Sequence, residues 1–332
     1  MRGGPARVLD ALRRAGGQTC SGEALSAEYG VSRAQVWKHV ESLRARGYSI
    51  DAEPGGGYRL SQVPDRLYAE EIQAGLETTW LASEIHYFDS IDSTNRVAQE
   101  LARGGSAHGT TVVAECQTAG RGRLGRSFFS PAGTNLYTSI VLRPQINTAE
   151  APTWILATAV AVAETIAHTI EEPNTVEIKW PNDVLISGLK TSGILMELAA
   201  EATHVDFLVL GIGVNLNVDR SSFPDEFRDR ATSLASQCGK QVDRLVFARR
   251  LYGNLEKILD LCGERGFDAV RPQFDALFRM CGQPIRVLQL DGSELEGTAL
   301  GIDPDGALRI RPERGEEIRV IAGDVTLAKE MA

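Results

Sequence analysis

Residues 120 to 126 read GRGRLGR, and this heptapeptide sets the tightest limit on what the chain can fold into. Glycines so closely spaced cost too much backbone entropy for the interior of a helix or strand, so the stretch is a loop. The run before it, TTVVAECQ (110 to 117), is β-branched and reads as a strand. The run after it, SFFSPAGTNLYTSIVL, reads as further loop and then a second strand. Gly120, Gly122 and Gly125 do match G-x-G-x-x-G, but a dinucleotide fold needs a helix directly after the loop and an acidic residue about 20 positions on. No Asp or Glu lies between Glu115 and Glu150. Arg121, Arg123 and Arg126 bring formal charge, whereas a simple phosphate nest works through bare backbone N–H groups. The loop is built to hold an anion between two strands.

At 332 residues the chain is long for one core, which predicts two or three domains. No hydrophobic leader of signal length opens it, and no run approaches the roughly 18 apolar residues of a membrane span, so a cytoplasmic protein with no membrane partner is expected. The five cysteines are scattered and never form C-x-x-C. Neither a disulfide framework nor a zinc site is indicated, and no protein metal ligand set is predicted. The net charge of −9 is unevenly spread: residues 1 to 60 hold nine Lys/Arg against six Asp/Glu, leaving 26 against 38 for the rest. A mildly basic head on an acidic body suggests separate partners.

In the head, EALSAEYGVSRAQVWKHVESLRARGYSI (23 to 50) has a helix, a turn at Tyr29-Gly30, and a second helix with Ser32 at its cap. Val36, Val40 and Leu43 recur at helical spacing and form a buried stripe, so Gln35, Lys38 and Ser42 face outward. The segment 48 to 60 reads as two short strands around Pro54-Gly55-Gly56-Gly57, a wing. A winged helix-turn-helix over residues 1 to 64 is expected, with Ser32, Arg33, Gln35 and Lys38 as candidate DNA contacts. The bland alternative is a small helical bundle whose hairpin docks a protein. With so little excess charge, binding to DNA requires a dimer on a paired site.

Four polar islands interrupt the apolar segments of the body. Asp92-Ser93-Thr94 opens a helix running from Asn95, where hydroxyls and free N–H groups suit a neutral polar group or an anion; Ser93 or Thr94 as a plain helix cap is the competing reading. The arginine-glycine loop with its approach, from Glu115 through Gln117 to Pro131, is the second, expected to be mobile until a polyanion offsets its entropy and repulsion. The third is VEIKWPNDVLISGLKTSGILMEL (176 to 198), a strand ending at Lys179-Trp180-Pro181-Asn182-Asp183, a turn at Ser187-Gly188, and a strand entered by Lys190. The fourth, LVLGIGVNLNV (208 to 218), is a strand whose Gly211 and Gly213 permit close backbone approach and whose Asn215 can read a polar group.

DSTN, GRGRLGR, KWPNDV, GLKTSGILMEL and GIGVNLN, in this order and at these distances, resemble the biotin protein ligases, and the head makes the chain similar to those members that also repress transcription. The resemblance covers essentially the whole chain. It implies a central mixed α/β domain of the class II synthetase-like biotin and lipoyl ligase type over residues 65 to 275. It implies ATP, biotin and Mg²⁺ travelling with the nucleotide, and biotinyl-5′-AMP as bound intermediate. The partners implied are a biotin carboxyl carrier domain, operator DNA and a second copy of the chain.

By resemblance, Ser93, Thr94, Asn95 and Gln117 meet the biotin head group, and Gly120, Arg121, Gly122 and Arg123 close over ligand and phosphate. Lys190 sits at the biotin carboxylate and acyl phosphate, and Lys179, Trp180, Asn182, Gly193 and Asn215 belong to the same binding set. Lys190, Arg121, Asp183 and Arg123 carry the chemistry, with Asp183 as the base for the incoming lysine. Phe223 is the candidate for stacking on adenine. Phe128 stands where relatives commonly have tryptophan, so an aromatic wall over biotin is kept. The alternative is a transcription regulator that senses biotin or a nucleotide without chemistry. From residue 276 to 332, short alternating strands broken by Asp-Gly and Gly turns predict a small β-barrel of SH3-like form; the final VTLAKEMA departs from the usual ending.

Overall fold

The structure is a computed structural model that describes residues 3–53, 57–171 and 173–327 of the chain, which form two compact units meeting in sequence at Arg66 and Leu67. The overall class is α+β and multidomain, as the sequence pattern requires.

In the first unit, helix α1 (Gly4–Arg14) precedes a short strand β1 (Cys20–Ser21), helices α2 (Gly22–Tyr29) and α3 (Arg33–Ala45), and strands β2 (Ser49–Glu53) and β3 (Gly57–Gln62). Ser21 Oγ accepts from the N–H groups of Glu23 and Ala24 at the start of α2, and Ser32 Oγ accepts from Gln35 N at 3.2 Å at the start of α3. Between them Gly30 adopts φ 63°, a left-handed conformation that glycine reaches without a Cβ penalty. Val8, Leu9, Leu12, Leu25, Val36, Val40 and Leu43 close the core. The three strands form a sheet in the order β1-β3-β2, with β2 and β3 antiparallel. This is a winged helix-turn-helix; the expected wing tip at Pro54-Gly55-Gly56 lies outside the described residues.

The second unit opens with α4 (Ala69–Gln73) and β4 (Ile85–Phe88), then α5 (Thr94–Arg103), β5 (Thr111–Ala114) and β6 (Leu136–Leu142). Helix α6 (Ala151–Ile170) leads to a meander of β7 (Val176–Lys179), β8 (Asp183–Ile186), β9 (Leu189–Glu201) and β10 (His204–Val214), followed by α7 (Leu234–Cys238), α8 (Arg244–Arg265) and α9 (Arg271–Leu277). The seven strands order as β4-β5-β6-β10-β9-β8-β7, all antiparallel except β4 with β5. Thus β10, late in sequence, lies between β6 and β9, and the four polar islands meet at one cleft. Helices α6 and α8 pack on one face; α5 covers the other through Ala98 and Ala102 against Val112, Val141 and Val209. Contrary to the expectation that no segment is long and apolar enough to span a membrane, α6 is. Most of it is buried against the sheet and α8, which accounts for its composition by core packing.

The same unit ends in a five-stranded antiparallel barrel-like sheet of order β14-β13-β12-β11-β15, from β11 (Pro284–Leu288), β12 (Glu294–Ile302), β13 (Leu308–Arg311), β14 (Ile318–Val320) and β15 (Asp324–Leu327). Ile285, Val287, Leu308, Ile310 and Val325 fill its interior. Trp180 Nε1 donates to Gly306 O at 3.0 Å and Arg271 Nη1 to Ile302 O at 2.8 Å, so this sheet is joined to the rest of the unit through side chains from both turn and helix.

Candidate active site

A cleft open to solvent is lined by the start of α5, the arginine-glycine loop, the β7–β8 turn, β9, β10 and Asp324. One end is neutral and polar. Ser93, a buried residue that lines the cleft, stands at the N-cap position of α5 yet its hydroxyl makes no capping bond, so the plain-cap reading fails for it. Thr94 N and Oγ1 both donate to Gln117 Oε1, at 2.9 and 3.0 Å, while Gln117 Nε2 donates to Ser130 Oγ at 3.0 Å. Ser139 Oγ on β6 lies 2.8 Å from Thr94 Oγ1 and 2.6 Å from Asn95 Oδ1, its one hydroxyl proton shared between these two acceptors. These side chains lock one another's rotamers and leave a fixed set of donors and acceptors.

The other end is cationic. The loop folds back on itself: Gly122 N donates to Arg126 O at 2.7 Å and Phe128 N to Gly120 O at 2.9 Å. A Cβ on Gly120 would lie 2.6 Å from Phe128 O, so the loop needs glycine there for space. Arg123 bridges two elements, Nη1 to Asn182 Oδ1 at 3.1 Å and Nη2 to Gly323 O at 3.0 Å. Burial pushes its guanidinium below the ordinary arginine value, opposed by Asp183 and Asp324; it stays charged, since arginine does not deprotonate in this range. Arg126 pairs with Asp324 at 2.5 Å, and Arg121 Nη1 lies 3.8 Å from Glu197 Oε1 on β9. Lys190 Nζ is 2.7 Å from Asp183 Oδ1, an ion pair rather than a well-aimed hydrogen bond. Between the two ends Phe128 lies over Gly193 and Gly213, whose missing side chains leave the ring its place, and Asn95 occupies the space a side chain on Gly211 would need.

Ser93, Thr94, Asn95, Gln117, Arg121, Gly122, Arg123, Asn182, Asp183, Lys190 and Gly193 thus share one cleft. Five residues expected there do not line it. Gly120 shapes the loop from behind. Lys179 closes β7 opposite Asp183 and is half-buried. Trp180 is in the core, because β7 alternation turns it inward. Asn215 is buried behind the site, where its Nδ2 donates to Thr232 O and its Oδ1 accepts from Asn135. Phe223 is buried against Phe129 and Phe227, ring centroids 6.0 and 6.2 Å away, so no face is free for a base. Sequence reading missed Ser139, Glu197, Gly323 and Asp324. Ser139 and Glu197 lie on alternating strands, where period-2 placement marks the face but not the partner; residues 323 and 324 are brought in from 200 positions away.

In the first unit Arg33 and Lys38 are exposed on α3. Ser32 is exposed and its Oγ caps the helix, and Gln35 is half-buried with its amide nitrogen 3.4 Å from His39 Nε2.

The biotin/lipoate A/B protein ligase family matches residues 87–215, an HTH domain matches 6–59, and the biotin protein ligase C terminal domain matches 280–327. The bifunctional ligase/repressor BirA of Bacillus spizizenii is 38% identical over 320 residues, 96% of this chain and 97% of that protein. That of Escherichia coli is 31% identical over 92% of this chain and 94% of its own length. Among solved structures, the biotin protein ligase of Aquifex aeolicus in complex with biotin and ATP aligns with a TM-score of 0.63 and 29% identity, over 74% of this chain and 98% of that one. The chain belongs to the biotin protein ligase family, among its members that carry an N-terminal helix-turn-helix domain.

Proposed function

We propose that the chain activates biotin with ATP and passes it to a lysine of a carboxyl carrier domain, and that the loaded protein represses transcription. In the first step a biotin carboxylate oxygen attacks the α-phosphorus, the bond to the bridging oxygen breaks, and pyrophosphate leaves. In the second the carrier ε-amine attacks the acyl carbon, its proton is lost and AMP departs. The observation that carries this is one cleft that joins a locked neutral polar end to a cationic end. Ser93, Thr94 and Gln117 offer hydroxyl and amide groups to a ureido-type head group, and Phe128 walls its apolar ring system. An anion must approach a polyanion in the first step, and Arg121, Arg123 and Lys190 supply the preorganised positive charge that lowers that barrier.

Lys190 and Asp183 neutralise each other without ligand. The biotin carboxylate draws Lys190 away, and Asp183 is then free to take the proton of the incoming amine, which at an ordinary pKa near 10.4 must be lost before attack. Mg²⁺ comes with the nucleotide: among the described residues no group of three His, Cys, Asp or Glu is placed to hold a metal, while Asp183 and Asp324 lie in the cleft beside the phosphate-binding cations. Mg²⁺ held mainly through phosphates is the usual arrangement, and there it would spread phosphate charge.

A second copy of the chain is the third partner. Strand β8 pairs only with residues 189–193 of β9, so 195–201 have an open edge among the described residues, with Leu198 exposed. We assign this edge to the homodimer and, in competition, to the carrier domain. Adenylate that meets no carrier stays bound, and the dimer holds two DNA-binding heads. The protein acts in the cytoplasm, where operator and carrier meet. Incubation with ATP, labelled biotin and an apo-carrier domain is expected to release pyrophosphate and label one carrier lysine. Repression without pyrophosphate release would instead identify a sensor with no ligase activity.

A further inference from the structure

Helix α3 exposes one large apolar side chain. Trp37 is 52% exposed, while Val36, Val40 and Leu43 of the same helix are buried. Among the described residues of the first unit no other large hydrophobic side chain is so exposed. Its neighbours define a chemistry. Arg33 lies four residues before it, Ala34 three before, and Lys38 follows it; all three are exposed. Neither Arg33 nor Lys38 is ion-paired among the described residues. The carboxylate of Glu41, four residues on, is drawn toward the end of the helix by Arg44 at 2.7 Å, and the Gln35 amide is turned to His39. The outward face is therefore cation, methyl, indole, cation, with no free carboxylate on its N-terminal half.

The major groove displays one apolar group, the C5 methyl of thymine, and apolar side chains read it by contact. Cations on either side suit the phosphates that fix a helix in the groove without reading sequence. We propose that Trp37 is the base-reading residue of the head, its indole packed on thymine methyls, with Arg33 and Lys38 on flanking phosphates. This rests on the DNA-binding reading above and adds what that binding recognises.

The test is selection from a pool of random duplexes by the full-length protein with biotin and ATP present, run in parallel for the parent, Trp37→Ala and Trp37→Phe, each checked for folding by its thermal melt. The parent is expected to enrich a motif with invariant thymines, Trp37→Phe to keep it, and Trp37→Ala to lose preference at those positions. Deoxyuridine in place of each such thymine removes only the methyl. It is expected to weaken the parent about fourfold per methyl and to leave Trp37→Ala unchanged. Identical motifs from parent and Trp37→Ala, or equal sensitivity of both to deoxyuridine, would overturn the proposal. A change in dimer mass on Trp37→Ala with the motif intact would place the indole at a protein contact instead. Failure of the parent to enrich any motif would sink the DNA-binding reading itself, and this proposal with it.

Discussion

Arg121 carries the most demanding role assigned to one side chain. It is about half exposed and meets Glu197 at the limit of an ion pair, 3.8 Å, while Glu197 is held in place by Asn95 Nδ2 at 2.9 Å. That weak contact leaves the guanidinium available to an acyl phosphate, whose charge-assisted bonds are stronger. Removing a hydrogen bond to a charged group costs roughly 1.5–3 kcal/mol, so Arg121→Ala is expected to release bound biotinyl-5′-AMP about 10- to 100-fold faster. A change at so exposed a position should shift stability by no more than about 0.5 kcal/mol. Rapid-mixing measurement of adenylate release beside a thermal melt decides it: an unchanged half-life removes Arg121 from the clamp. At this scale the sequence was most legible, because residue types announce chemistry: arginines on glycines, paired hydroxyls, a lysine after a turn. It misled where chemistry was inferred without orientation. Trp180 and Asn215 are polar-capable residues in motif-rich stretches, yet each spends its hydrogen bonds inside the protein.

At the scale of elements, the strands and helices were readable from β-branched runs, turn residues and helical spacing, and α5 begins at Thr94, within one residue of the expected start. What could not be read was which elements adjoin. That depends on β10 entering between β6 and β9, a long-range pairing that no local pattern encodes. The same holds for the corner where the chain between α5 and β5 meets α8. His108 packs against Trp80 with ring centroids 4.2 Å apart and planes tilted by 56°, and its Nδ1 accepts from Arg143 N at 2.9 Å. Burial lowers the His108 pKa, with Arg143 acting in the same direction and Asp260 and Glu256 opposing. The folded protein therefore binds this proton less readily than the unfolded chain. The associated stability is present above the unfolded value near 6.5 and is lost as pH falls from there toward the lower folded value. The melting temperature is expected to drop between pH 7.5 and 5.5, and His108→Gln, which keeps an acceptor for Arg143 N, is expected to flatten that drop. Parallel pH dependence in both proteins would assign the loss to other groups.

At the scale of the whole molecule, the two outputs share one ligand but need different partners, and the open edge of β9 is the surface proposed above for their competition. An edge with unpaired N–H and C=O groups is a ready template for another strand. Here it runs from Leu195, which lines the cleft and whose carbonyl accepts from Asn95 Nδ2, to residue 201, and it carries Glu197, which faces Arg121. Ligand at the arginine loop and a strand at the edge therefore act on the same stretch of β9, which gives the coupling a physical path. Leu198, 43% exposed, is the apolar side chain the edge offers. Leu198→Lys places a positive charge on each copy at a symmetric interface, where like charges meet. The expected result is a protein that still forms adenylate from ATP and biotin, sediments as a monomer at concentrations where the parent is dimeric, and binds its DNA site weakly because a single head neutralises too few phosphates. Transfer to the carrier should slow as well if, as proposed, that partner uses the same edge. Sedimentation, DNA retention and single-turnover transfer on one preparation separate the possibilities. A monomer that transfers normally would split the carrier surface from the dimer surface, and a dimer of unchanged affinity would move both away from β9.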